Sequence, residues 1–134
     1  MNKRGLTLIE LGLVIIIITI VTTLIISIYK SIAEKSVFSV AKSNLAILQK
    51  QIWLFYNVEG RYPNSLDELV AAGYIKVVPV LNIKYHPPSD EVVVASHPYD
   101  GKDDIGKWYY DNVNGLIVIA CTHRYLDGIQ IYKW

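Results

Sequence analysis

A single cysteine, Cys121, rules out an intramolecular disulfide. It does not report on redox compartment, because an exported domain with a sufficient core can do without bridges. A buried, inert thiol is the state expected of it. A net charge of +1 gives no basic field of the kind that nucleic acid requires, so none is expected as a partner. Phosphate loop, dinucleotide fingerprint and nucleophile elbow are all missing. His86, His97 and His123 lie in separate segments, with no H-x-x-x-H pair and no Cys at ligand spacing, so spacing predicts no metal site among them. Cys121 and His123 alternate on one strand and face one side, which hints at a nucleophile and base. No third group or oxyanion hole accompanies them, and packing is the expected role. The sequence therefore predicts no catalysis. Structure-breaking residues are missing too. Residues 11–29 contain neither charge nor proline, and no glycine falls between Gly12 and Gly60.

That gap is filled by Ile, Leu and Val. The chain is 52% hydrophobic with a mean hydropathy of +0.30, and the excess is concentrated in the first thirty residues. About twenty apolar helical residues cross a hydrocarbon core of roughly 30 Å, so this segment can span a bilayer. Lys3 and Arg4 precede it, which places the N-terminus in the cytoplasm and the rest of the chain outside. A cleaved secretory signal has a shorter apolar region, about 7–15 residues, and a small-residue exit. Ser27-Ile28-Tyr29-Lys30 is a poor exit of that kind. A plain signal anchor accounts for everything except Gly5 and Glu10. A carboxylate at the head of a spanning run is costly and needs a partner or a purpose.

Beyond Lys30 charges return while the helical period persists. Ile32, Val37, Ala41, Leu45, Leu48, Ile52 and Phe55 recur mostly at spacings of three and four, an amphipathic stripe of the globular kind. The helix is expected to end between Asn57 and Gly60, with Gly60 as a left-handed cap. From Thr7 to Asn57 it would run roughly 75 Å. Thr19, Thr22, Thr23 and Ser27 can bond back to preceding carbonyls and bend it slightly. Ser65-Leu66-Asp67-Glu68 reads as a capping box that opens a short helix, with Ser65 capping and Glu68 reaching back, and Gly73 stops that helix. The remainder is β-like. Residues 77–85 are interrupted by Pro79 and read as an edge or irregular stretch. Residues 91–95 form a Val-rich strand, and residues 108–111 and 116–122 flank a hairpin at Asn112-Val113-Asn114-Gly115. A last strand follows Asp127-Gly128. The expected fold class is α+β: one long N-terminal helix packed on a small antiparallel sheet of three to four strands.

Gly5-Leu6-Thr7-Leu8-Ile9-Glu10 resembles the G-F-T-L-I-E signature of type IV pilins and of the related type II secretion pseudopilins. The resemblance implies cleavage between Gly5 and Leu6 by a prepilin peptidase and N-methylation of Leu6, with Glu10 acting in subunit assembly. It divides the chain into a leader (1–5), a long helix (6–57) and a β-rich head (58–134). Residues 6–29 would be the span and later the filament core, and residues 30–57 the amphipathic half. Leu6 replaces the usual Phe, and Ser27 stands where many pilins have a helix-breaking proline. The passages around Tyr62-Pro63 and Trp108-Tyr109-Tyr110-Asp111 resemble loops and strands of the same family. The implied partners are further copies of the chain in a helical homopolymer, related pilin-like subunits, the inner-membrane assembly machinery and, before assembly, membrane lipid. The implied location is the inner membrane, then a surface filament or a periplasmic pseudopilus. The strand region after Gly115 favours a pilin, and the acidic segment before Trp108 favours a pseudopilin.

That segment, residues 100–108, also resembles the D-G-…-D-D-I-x-x-W loop of major pseudopilins, whose members bind calcium. The resemblance nominates Asp100, Asp103 and Asp104 as hard oxygen ligands. The loop lacks the family's longer glycine-rich insert and fails the EF-hand pattern, and a solvated acidic turn beside lysines is the competing reading.

Overall fold

Helix α1, Leu8–Glu59, is continuous, as a stretch free of proline and interior glycine allows. The computed structural model describes residues 7–134, which fall into two units divided between Ser36 and Val37. In the first unit none of the described helical side chains is buried, although most are apolar. Thr19, Thr22, Thr23 and Ser27 each donate a hydroxyl to the carbonyl four residues earlier, at 2.7–3.2 Å. Their polarity is thereby satisfied inside the helix, which suits them to an apolar surrounding.

The second unit has a core. Phe38, Ala41, Leu45, Leu48, Ile52 and Phe55 form the buried line of α1. Ile32, expected on that line, is 59% exposed, and Val37 is only half-buried beside the buried Phe38. The helical period of apolar residues thus extends beyond the buried line of α1, which begins at Phe38. Gly60 ends α1 with φ +71°, and its N–H bonds to the Tyr56 carbonyl at 2.9 Å. A left-handed residue of this kind is readily supplied by glycine.

Helix α2, Leu66–Ala71, buries Leu66 and Leu69 in the same core. Its capping box differs from expectation. Ser65 occupies the N-cap but makes no side-chain cap. Glu68 accepts from the Asn64 N–H at 2.6 Å, one residue beyond the cap, and pairs with Arg61 at 2.5 Å. The nearby guanidinium competes for the carboxylate and draws it past Ser65.

Five strands follow: β1 Leu81–Ile83, β2 His86–Ser89, β3 Val92–Ala95, β4 Trp108–Asp111 and β5 Leu116–Ile119. β1 and β2 form a separate antiparallel pair with irregular register. The other three form a sheet in the order β3-β4-β5. β4 and β5 are the expected hairpin, with Tyr110 opposite Ile117. β3 runs parallel to β4, so the sheet is mixed and not purely antiparallel. Residues 96–107 make the crossover that a parallel pair needs. The expected last strand is replaced by a single bridge, Arg124 to Gln130, and a 3-10 turn, η1, at Ile131–Lys133. Every residue of β4 is buried. Trp108 Nε1 donates to the Pro79 carbonyl and Tyr110 Oη to the Pro63 carbonyl, each at 2.8 Å. Both polar tips are thus satisfied in the core.

Candidate functional site

Two places carry polar groups whose arrangement calls for explanation. The first is the head of α1. Thr7 precedes the first helical residue, and Glu10 stands three positions on. The Thr7 N–H and hydroxyl both donate to Glu10 Oε2, at 2.8 and 2.9 Å, and the Glu10 N–H returns to Thr7 Oγ1 at 3.3 Å. This is a capping box, and it places a carboxylate at the positive end of the helix dipole. Thr7-x-x-Glu10 before an apolar run is the sequence signal of such a box, and the reading of Glu10 as an assembly residue did not use it. Glu10 is exposed and has no partner from elsewhere in the described chain beyond Thr7. Gly5 and Leu6, the expected processing pair, lie outside the described residues.

The second place is in the head. The crossover between β3 and β4 folds back along the residues that follow β5. The Gly106 N–H bonds to the Ala120 carbonyl at 2.8 Å, and the Ala120 N–H to the Lys107 carbonyl at 2.9 Å. Gly106 has φ +64°, and a Cβ there would stand 2.1 Å from His86 Cγ. Only a glycine lets β2 bring His86 this close. Asp104, still exposed to solvent, then turns toward His86 and the residues after β5. One oxygen, Oδ1, accepts from the Thr122 N–H at 2.9 Å and lies 3.1 Å from His86 Nε2. The other, Oδ2, lies 3.0 Å from His123 Nδ1. Cys121 Sγ is 3.5 Å from that same nitrogen. All four side chains bring a ligand-type atom within 4.8 Å of the others.

Cys121 is fully buried, the His86 side chain is 13% exposed, and that of His123 is 41% exposed. Tyr85 stacks on His123, with centroids 4.3 Å apart and planes 6° from parallel. Burial opposes ionisation of Asp104, but the Thr122 N–H and the adjacent His123 and His86 outweigh it, and its carboxyl falls below the ordinary range. Burial pushes the Cys121 thiol up to about 11. A nucleophilic cysteine needs the opposite shift and some exposure, so the Cys121–His123 contact is not that of an activated thiol.

Of the three aspartates nominated for calcium, only Asp104 belongs to this cluster. Asp100 is held by Lys102, through its N–H at 3.0 Å and its ammonium at 3.2 Å. The Asp103 carbonyl accepts the Tyr99 hydroxyl. Burial and the neighbouring Asp104, Asp103 and Asp100 push Tyr99 up to about 12. Calcium takes six to eight oxygens. The donors facing Asp104 are two imidazoles and a thiol, so the residues present do not fit that ion.

His86 entered the site without any sequence signal of spacing, because Asp104, Cys121 and His123 reach it through tertiary folding. His97 lies elsewhere, against Tyr109. No protein-family model, curated protein or solved structure matches the chain.

Proposed function

We propose that the chain is a structural filament subunit of the type IV pilin class, and a pilin in preference to a secretion pseudopilin. A prepilin peptidase cuts between Gly5 and Leu6 and methylates Leu6. The subunit waits in the inner membrane as a single-pass protein, with residues 6–29 as anchor and its N-terminus in the cytoplasm. Inner-membrane machinery then moves it into a helical polymer of like subunits, exposed at the surface. Its fold is read as pilin-like, and no catalytic role is assigned to it.

The observation that carries this reading is the first unit. An apolar helix with no buried side chain, led by a basic pair and a glycine and begun by a carboxylate, has no place in water. A helix hydrophobic on all sides belongs in a membrane or among other helices. Leaving lipid must therefore be coupled to burial against neighbours. Glu10 gives that step direction. In the lone subunit its carboxylate is satisfied by Thr7; in the polymer it faces the new amine of a neighbour's Leu6. Removing one partner of a buried pair costs about 3–5 kcal/mol, because the other charge is left uncompensated. The pair thus sets register between subunits.

Glu10→Ala tests the reading in cells. Membrane insertion is expected to be normal, because the apolar run is untouched, while sheared filament yield falls at least tenfold. Unchanged yield would contradict the assignment and favour an anchored, non-polymerising binding module.

A further inference from the structure

We propose that His86, Asp104, Cys121 and His123 form a four-ligand site for a borderline-soft divalent transition metal, with Zn(II) the ion best suited to the donors. The inference rests on the head alone and is independent of the filament reading. Its chemical basis is the composition of the cluster. One thiol, two imidazoles and one carboxylate are ligand types that Zn(II) accepts in tetrahedral sites, and calcium does not favour the first two.

Geometry supports the same ion. Zinc bonds of about 2.0–2.3 Å put neighbouring ligand atoms of a tetrahedron roughly 3.3–3.8 Å apart. His123 Nδ1 lies 3.0 Å from Asp104 Oδ2, His86 Nε2 3.1 Å from Asp104 Oδ1 and Cys121 Sγ 3.5 Å from His123 Nδ1, and with one ligand atom taken from each residue no pair exceeds 4.8 Å. Displacements of the ligand atoms on the order of an ångström would bring them to zinc bonding distance. The backbones that carry the ligands are already tied together. Gly106 and Ala120 bond across the crossover, and the Thr122 N–H fixes Asp104 Oδ1. Tyr85 orients His123 by stacking. Three separate stretches of the head meet at this cluster: β2, the crossover, and the segment after β5. A bound ion would cross-link them where the chain forms no disulfide.

Binding balances simply. The Cys121 thiol loses its proton to solvent as sulfur takes the metal, and both histidines bind as neutral imidazoles through Nε2 of His86 and Nδ1 of His123. Asp104 exchanges its contacts to the two rings for the ion. One face stays open to solvent beside His123, which provides entry.

The test uses the full chain in detergent, stripped with chelator and kept reduced. Co(II) is titrated as the spectroscopic probe, then displaced by Zn(II). The expected result is one ion per chain, intense visible bands of tetrahedral cobalt and a near-ultraviolet thiolate-to-cobalt band. Cys121→Ser should abolish the thiolate band, and His86→Gln and His123→Gln should each weaken binding at least tenfold. Zn(II) should raise the melting temperature of the head and Ca(II) at equal concentration should not. If Cys121→Ser fails to fold, His123→Gln, at the more exposed ligand, decides the matter by the same titration. A folded chain that shows only the weak spectrum of octahedral cobalt overturns the proposal. So do cobalt affinities left unchanged by both His86→Gln and His123→Gln, or stabilisation by calcium equal to that by zinc.

Discussion

At the residue scale, the head depends on a few polar groups placed where only one side chain serves. Asp111 is buried at the end of β4, yet its carboxylate is fully engaged. Oδ1 accepts from the Val113 and Asn114 N–H groups at 3.0 and 3.2 Å, and Oδ2 from Asn114 Nδ2 at 2.6 Å. Burial alone would raise its carboxyl, but the Asn114 side chain and these two N–H groups prevail and hold it below the usual value. A depressed folded value means that the group stabilises above its unfolded pKa of about 3.9 and that this is lost as pH falls through the folded value. Melting curves should therefore show the head weakening below about pH 4, with a shallower acid dependence in Asp111→Asn. Asp111→Ala should cost about 1–3 kcal/mol at neutral pH by leaving turn N–H groups without their acceptor. Cys121 gives a second check. A fully buried thiol pushed up to about 11 should resist iodoacetamide at pH 8 in the folded chain and react at once in urea. Gly106→Ala should lower stability and dislodge His86, because the new methyl meets the imidazole at the φ +64° position.

At the element scale, α1 serves two environments, and substitutions should separate them. Leu48→Ala removes a fully buried side chain from the core and should cost about 2–5 kcal/mol in the unfolding of the head. Ile32→Ala, at an exposed position of the same stripe, should shift it by no more than about 0.5 kcal/mol. The pair is checked by thermal or urea unfolding. It also shows what a sequence pattern contains. The period from Ala41 to Phe55 and the turn at Gly60 were legible, because they follow from helix geometry and backbone permissiveness. The hairpin around residues 112–115 was legible for the same kind of local reason. Where the partner of α1 begins was not, because a stripe reports a face and not what covers it. β2 was missed because Pro87 and Pro88 read against a strand, and they are tolerated here in a short pair away from the main sheet. The parallel pairing of β3 and β4 left only one trace, a connection too long for a hairpin.

At the scale of the whole molecule, the N-terminal motif lies within a few consecutive residues and could be compared with a family signature, whereas the head cluster is assembled from distant ones. Glu10 and Thr7 are three residues apart, and their capping box is a property of one helix turn. His86 and His123 are 37 positions apart (123 − 86) and meet only because a crossover, a sheet edge and a tail converge. No spacing rule reaches that far. The two places also divide the work of the chain. The head builds its own core and carries the metal-type cluster, while residues 8–29 present apolar surface that nothing in the described chain covers. Such a helix needs lipid or other helices, and the filament account supplies both in turn. Its central claim is that the chain is cut after Gly5, which creates the amine that Glu10 meets. Mass spectrometry of the mature protein's N-terminal peptide tests this most directly. The account predicts a peptide that begins at Leu6 and is heavier by one methyl group. An uncut chain beginning at Met1, or an unmethylated Leu6, would contradict it.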